Sequence, residues 1–146
     1  MKYFISKNIS IIYRFSQIFM ARRLKPYDIG SGQHSLILTV AKNPGQSQED
    51  LALRLGMDKG TITRLVQKLE EKDFLRRQCS EQDKRINCVY PTAKSLAMLP
   101  VIEEKVQEWY DVILADFSME QRLQASRLLE KMAENVMDYV QEEVKK

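Results

Sequence analysis

Apolar positions recur at helical spacing at both ends of the chain. Ile5, Ile9, Ile12 and Phe19, with Phe15 beside them, form one stripe that runs to about Lys25, and Pro26 ends it. Ser31 or Gly32 opens a second apolar stretch, Leu36 to Val40, which closes near the turn Asn43-Pro44-Gly45. Towards the C-terminus, Ile102, Val106, Trp109, Ile113 and Phe117 step by four, three, four and four. Pro100 lies inside that helix, which predicts a kink or a restart there. The last stripe is Leu128 or Leu129, Met132, Val136, Tyr139 or Val140, and Val144. Ser118 and Gln121 form a capping box at its start.

The middle has a different texture. Ser47, with Asp50 three residues on and Leu51-Ala52-Leu53 behind it, predicts a short helix that ends by Gly56. Asp58 is the next N-cap, and Ile62, Leu65, Val66 and Leu69 then complete an apolar stripe. Two short helices across a Gly-containing turn make a helix-turn-helix. After Leu75, the run to Thr92 reads as a β-hairpin in which Ile86, Cys88 and Tyr90 alternate with Asn87 and Val89, its charged tip at Glu81–Arg85. A helix-turn-helix followed directly by a hairpin is a winged helix. The expected fold is therefore mainly α with a small β-hairpin wing, a winged helix-turn-helix at 31–91 embedded in a helical scaffold of 1–30 and 92–146.

With its stripe turned inward, the second helix of the motif points Gly60, Arg64 and Gln67 outward, flanked by Thr61, Thr63 and Lys68. Glu71 shares that face but lies two turns further along, beyond the end that would enter a groove. Arg64 can pair bidentately with guanine and Gln67 with adenine, and a Thr methyl can touch thymine. Gly60 allows close backbone approach to a phosphate at a helix N-terminus. The wing adds Lys84 and Arg85 at its tip, with Arg76 and Arg77 on the incoming strand. Asp83 stands two residues before Arg85, where a carboxylate can hold the long side chain extended and reduce the entropy lost when it enters a minor groove. Lys59, at the start of the reading helix, completes the candidate DNA-binding set of Lys59, Gly60, Thr61, Thr63, Arg64, Gln67, Lys68, Arg77, Asp83, Lys84 and Arg85. The competing reading is a solvated amphipathic helix beside a charged hairpin.

Composition narrows the class. At 146 residues, 44% hydrophobic and 29% charged, the chain suits one soluble domain. Its apolar runs are far short of the roughly 20 residues of a membrane span. Arg14, Arg22 and Arg23 interrupt the first apolar stretch, so the expectation is a cytoplasmic chain without a cleaved leader. The net charge of +3 is unevenly spread: residues 1–46 carry +6, 47–91 carry +1 and 92–146 carry −4. A polyanion-facing side opposite an acidic one is permitted by this, though charge alone does not name the partner. One His and two Cys leave no four-ligand zinc site, and neither a nucleophile elbow nor a phosphate loop is present. An enzyme is not expected, and neither is a cofactor. If the hairpin is symmetric about Asp83 and Lys84, Cys79 faces Cys88 at disulfide distance, and the alternative is two inert thiols.

The run QSQEDLALRLGMDKGTITRLVQKLEEKDFLRR (Gln46–Arg77), together with QDKRINCVYPT (Gln82–Thr92), resembles the MarR/SlyA family of bacterial transcriptional regulators. The preceding RRLKPYDIGSGQHSLILTVAKNPG (Arg22–Gly45) and the flanking helices fit as well, so the likeness covers nearly the whole chain. Its most specific part is Asp83-Lys84-Arg85 at its proper distance after Ile62–Glu70. The resemblance implies that Thr61, Thr63, Arg64 and Gln67 face the major groove, and that Arg85, oriented by Asp83, enters the minor groove. It also implies a repressor, and a homodimer built from the N-terminal and two C-terminal helices. The family usually has Gly where this chain has Asp73, and commonly Leu-Thr and Ala-Gly at Pro91-Thr92 and Lys94-Ser95.

A dimer is expected from the residues too, because the outer helices carry more apolar stripe than one small winged helix covers. Two-fold pairing would set the reading helices roughly 34 Å apart on double-stranded DNA and require a pseudo-palindromic site. Arg14, a cation amid Ile12, Tyr13 and Phe15, has two readings. It pairs with an acid at the subunit interface, or it serves the small phenolic or anionic effector that the family likeness places nearby. His34 reads as a satisfied residue of the second helix. The alternatives to a sequence-specific regulator are a winged-helix protein-interaction module and a sequence-nonspecific DNA coater.

Overall fold

The computed structural model describes residues 4–146; Lys2, counted in the N-terminal charge, lies outside them. The chain divides into two compact units, Met1–Trp109 and Tyr110–Lys146.

The first unit opens with α1 (Ile5–Leu24), which passes into a 3-10 turn at Lys25–Tyr27 where Pro26 blocks continuation. After α2 (Gln33–Lys42) come β1 (Gln46–Ser47), α3 (Gln48–Leu55) and α4 (Lys59–Glu71). β2 (Leu75–Cys79) and β3 (Asn87–Pro91) follow, then α5 (Ala93–Ile113). Two caps place the helix-turn-helix. The Ser47 hydroxyl accepts from the Asp50 amide at 3.0 Å and starts α3, while Gly56 ends it at φ 61°, a left-handed conformation that glycine adopts without steric cost. The strands form an antiparallel sheet in the order β1-β3-β2, so the short β1 ties the helix-turn-helix to the wing.

The core of this unit gathers Leu24, Leu36, Ile37, Val40, Leu51, Ile62, Val66, Leu69, Phe74, Leu75, Val89 and Ile102, each essentially without solvent contact. Ile62, Val66 and Leu69 belong to the expected stripe of α4, and Leu65 packs half-buried beside them. Burying one such side chain stabilises the fold by about 1.5–3 kcal/mol, which holds α4 by one face and leaves the other free. The stripe of α1 behaves differently. Ile5, Ile9, Ile12 and Phe15 stay exposed, and the helix contributes Met20 and Leu24 to the core instead.

The wing departs from the expected symmetry. Cys79 pairs with Asn87 and Cys88 with Gln78, one residue away from the register that would set the cysteines opposite each other. Because successive strand residues point to opposite faces, the two thiols lie on opposite sides of the hairpin and no disulfide can join them. Both are free, and the Cys79 Sγ lies 3.8 Å from the Asn87 Oδ1. The same register buries Val89 and exposes Ile86, so the inward face is Leu75 and Val89 rather than the Ile86, Cys88, Tyr90 set. Pro100 neither stops nor restarts α5, which is helical throughout Ala93–Ile113. His34 is half-buried on α2 with its Nδ1 buried and without a hydrogen-bond partner, so it is not the satisfied residue expected. Burial pushes its pKa down.

In the second unit, the end of α5 turns at Asp116 (φ 63°) into α6 (Met119–Val144). The capping box is complete: the Ser118 hydroxyl accepts from the Gln121 amide and the Gln121 side chain accepts from the Ser118 amide. Arg122 donates to the Leu114 and Phe117 carbonyls and fixes the turn. α6 buries no residue, and Leu123, Leu128, Leu129, Val136, Tyr139 and Val140 are all exposed on it. Among the described residues no helix is long and apolar enough to cross a membrane.

Candidate nucleic-acid interface

Asp58 caps α4 from an extended conformation. Its Oδ1 accepts from the Thr61 amide at 2.8 Å and its Oδ2 from the Thr61 hydroxyl at 2.6 Å. The hydroxyl bond is the chief reason its carboxyl lies below the usual carboxylate range. The Thr61 oxygen in turn accepts from the Arg64 Nη2 at 3.3 Å, so a chain of three side chains runs along the leading turn. A Cβ on Gly60 would stand 3.3 Å from the Asp58 Oδ1 and 3.7 Å from the Arg64 Nη1. The bare glycine therefore makes room for the cap. The anion seat at this helix N-terminus, which the sequence offered to a phosphate, is occupied by the Asp58 carboxylate.

Lys59, Gly60, Arg64, Gln67 and Lys68 are all exposed on α4. Thr63 is half-buried: its hydroxyl donates to the Lys59 carbonyl at 2.9 Å and accepts from the Gln48 Nε2 at 3.1 Å, which joins α4 to α3. Its side chain braces the two helices in addition to anything it could present to a groove.

At the wing tip the geometry follows the sequence closely. The Asp83 Oδ1 accepts from the Arg85 amide at 3.0 Å and from its Nε at 3.1 Å, and Oδ2 accepts from Nη2 at 3.1 Å. The Arg85 side chain remains 90% exposed, so the fork holds the guanidinium without burying it. Arg85 also holds the Asp83 carboxyl below its ordinary range. Lys84 is exposed beside it. The Ser80 hydroxyl accepts from the Gln82 and Asp83 amides and shapes the loop.

Arg77 and Arg76 are placed differently from the tip cations. The Arg77 Nη2 donates to the Glu70 Oε1 at 2.8 Å, its Nε lies 3.2 and 3.3 Å from the two carboxylate oxygens, and its amide donates to Oε2 at 3.1 Å. Glu70 is held below the usual carboxylate range by these bonds and Arg77 is pushed up. The pair clamps the wing strand to the last turn of α4 and engages a guanidinium that the sequence placed in the candidate DNA-binding set. Arg76 lies over the Tyr90 ring at 4.6 Å. Glu70 was missed in the sequence because nothing local marks a partner seven residues away. Lys72 was missed as well: its Nζ donates to the Asp28 carbonyl at 2.9 Å and to the buried Gln33 Oε1 at 3.2 Å.

On α1, Arg14 is exposed, and the nearby cleft is lined by other residues. Phe15, Ile18, Phe19, Arg22, Arg23 and Trp109 enclose about 460 Å³. Phe19 and Trp109 meet with centroids 5.3 Å apart, and Arg23 lies 5.1 Å from the Phe19 ring and 3.4 Å from the Glu108 carboxylate. The adjacent Arg22 and Arg23 at the end of the α1 stripe were the available signal. Among the described residues no group of His, Cys, Asp and Glu could hold a metal ion.

A helix-turn-helix closed by a β-hairpin, with cations on its second helix and at the hairpin tip, defines a winged-helix protein of the nucleic-acid-binding type. Residues 29–86 match the MarR family. The chain is 29% identical over 132 residues to the uncharacterised HTH-type transcriptional regulator YybA of Bacillus subtilis, covering 90% of this chain and 88% of that one. It is 36% identical to a MarR transcriptional regulator from Methanosarcina mazei of known crystal structure, covering 94% and 99% of the two chains with a TM-score of 0.89. A MarR family regulator from Listeria monocytogenes, crystallised with a 26mer DNA, shares the fold at 24% identity, with a TM-score of 0.89 over 97% of this chain and 96% of that one. The chain belongs to the MarR family.

Proposed function

We propose that this MarR-family protein is a sequence-specific double-stranded-DNA-binding transcriptional regulator, a repressor that binds a pseudo-palindromic operator as a homodimer. The observation that carries the reading is the pairing of two elements. An α4 face presents exposed Lys59, Arg64, Gln67 and Lys68, and the wing beside it holds Arg85 extended through Asp83. Arg64 supplies two donors for guanine, Gln67 supplies a donor and an acceptor for adenine, and Lys59, Lys68 and Lys84 supply phosphate charge. Arg77 acts by holding the wing against the helix. The Listeria relative crystallised with DNA supports the same partner.

The exposed apolar residues of α1, and separately those of α6, support assigning dimerisation to 1–30 and 92–146 and reading to 31–91. The aromatic cleft of α1 and α5, with Arg22 and Arg23 at its rim, supports release by a small anionic or phenolic effector, and makes these two arginines better candidates than Arg14.

Selection of sites from a random duplex pool at about 0.15 M salt tests the proposal, because only a base reader keeps its site in competition with bulk DNA. The expected result is an inverted repeat with half-sites one turn apart. Arg64→Ala should relax one base pair per half-site at a cost of about 1–3 kcal/mol, measured by binding to operator variants. Binding to the pool without a motif would favour a DNA coater, and no binding at all an interaction module.

A further inference from the structure

We infer that Asp58 is a specificity-determining residue of the reading head, which sets the Arg64 guanidinium through Thr61 and keeps nonspecific DNA backbone off the leading turn of α4. The inference rests on the reading of α4 as the base-contacting helix.

The direction of the hydrogen-bond chain carries the first half. An ionised carboxylate is an acceptor only, so the Thr61 hydroxyl must spend its one hydrogen on the Asp58 Oδ2, 2.6 Å away. The hydroxyl oxygen is then left with lone pairs alone and can only accept, which it does from the Arg64 Nη2 at 3.3 Å. The Arg64 guanidinium has five N–H groups, and one bond to Thr61 leaves enough of them for a bidentate contact with the O6 and N7 of guanine. A long arginine held this way has less rotamer freedom left to lose on binding. Gly60 fits the same arrangement, because a Cβ there would stand a tight 3.3 Å from the Asp58 Oδ1.

Charge carries the second half. A helix N-terminus with free amides attracts phosphate, whatever the sequence behind it. Here the Thr61 amide is already bonded to the Asp58 Oδ1, and the carboxylate places a negative charge at the point a phosphate would occupy. Specificity is a ratio of affinities, so Asp58 raises it from both sides: it orders the residue that reads guanine and weakens the contact that reads nothing.

A serine or asparagine at this position is also a good N-cap, so the cap can be kept while the charge is removed. The test compares Asp58→Ser, Asp58→Asn, Thr61→Val and Arg64→Ala in the full chain. It measures binding to the selected operator, to operators altered at the guanine read by Arg64, and to bulk DNA, with thermal unfolding alongside. Asp58→Ser and Asp58→Asn should unfold near the wild-type temperature, lose about tenfold in discrimination at that base pair, and bind bulk DNA several-fold more tightly. Thr61→Val should lose the discrimination without the gain on bulk DNA, because the charge stays. If either Asp58 variant folds and retains both the wild-type base preference and the wild-type affinity for bulk DNA, the inference is overturned. Lost discrimination without tighter bulk binding overturns the charge half, and the reverse overturns the positioning half. Should Arg64→Ala itself leave the base preference intact, the fault lies with the reading of α4.

Discussion

The two ends of α4 are built on opposite plans. At the leading end, Asp58, Thr61 and Arg64 form a polar chain on the surface, with a 3.3 Å link at its far end and no buried side chain among the three. At the trailing end, Leu69, Phe74 and Leu75 are fully enclosed, and the Glu70–Arg77 fork joins the last turn of α4 to the wing strand. The Lys94 Nζ donates to the Lys72 carbonyl at 2.7 Å, and the Thr92 hydroxyl donates to the Asp73 carbonyl at 2.6 Å. The helix is thus anchored where it meets the fold and adjustable where it would meet a ligand. Packing supplies position, since a close-packed core transmits strain rather than yielding. Short surface chains supply orientation, because they can be reset at little cost.

The contrast breaks if equal insults at the two ends cost the same. Phe74→Ala should destabilise the chain by about 3–5 kcal/mol, the usual penalty for emptying a fully buried aromatic site. Thr61→Ala at the exposed end should cost about 1 kcal/mol, because the two hydrogen bonds of its hydroxyl lie at the surface and the amide cap bond to Asp58 remains. Urea midpoints of the two variants, read at equal m-values, make the comparison.

Glu70→Gln is the next largest. The carboxylate accepts from a guanidinium and a backbone amide, but both side chains are about a third exposed, so solvent screens the pair and about 1 kcal/mol is expected at pH 7. The fork lowers the folded pKa of Glu70 below its unfolded value. Its contribution is therefore complete above the unfolded pKa of about 4.3 and is lost as pH falls through the lower folded value. Urea midpoints of wild type and Glu70→Gln should converge as pH falls from above about 4.3 through the lower folded pKa of Glu70. A gap that stays constant over that window would mean the clamp does not depend on the carboxylate charge.

How much of this was legible in the sequence depended on range. The elements, the Ser47, Asp58 and Ser118 caps and the Asp83–Arg85 fork all rest on residues within a few positions of each other, and local chemistry decides them. The Glu70–Arg77 clamp and the Lys72 bond to Asp28, 44 residues away, exist only because the fold brings them together. The cysteine register failed for a subtler reason. Ser80 pairs with Ile86 across the loop, and its hydroxyl takes the Gln82 and Asp83 amides, which centres the turn on Asp83 rather than between Asp83 and Lys84. A half-residue error in the centre moves the register by one, and every side chain changes face. The exposed part of the α1 stripe, Ile5, Ile9, Ile12 and Phe15, was legible as apolar, but what covers it was not.

Asp73 gives the smallest effect and the finest test of the trailing end. It sits at φ 63°, left-handed backbone that costs an L-residue about 1–2 kcal/mol, somewhat less for aspartate, and it stands where the family usually has glycine. Its amide donates to the Glu70 carbonyl at 3.0 Å and its carbonyl accepts from Thr92, bonds that a glycine would keep. Asp73→Gly relieves the strain but gives the unfolded chain more freedom to lose, worth roughly 0.5–1 kcal/mol against it. The balance is a gain of about 0.5 kcal/mol, visible as a small rise in the urea midpoint with an unchanged m-value. Affinity for the selected operator should not move, because the turn lies at the anchored end. A loss of stability would mean that the aspartate side chain supports the turn by more than its backbone strain costs. A change in base preference would mean that the two ends of α4 are not independent.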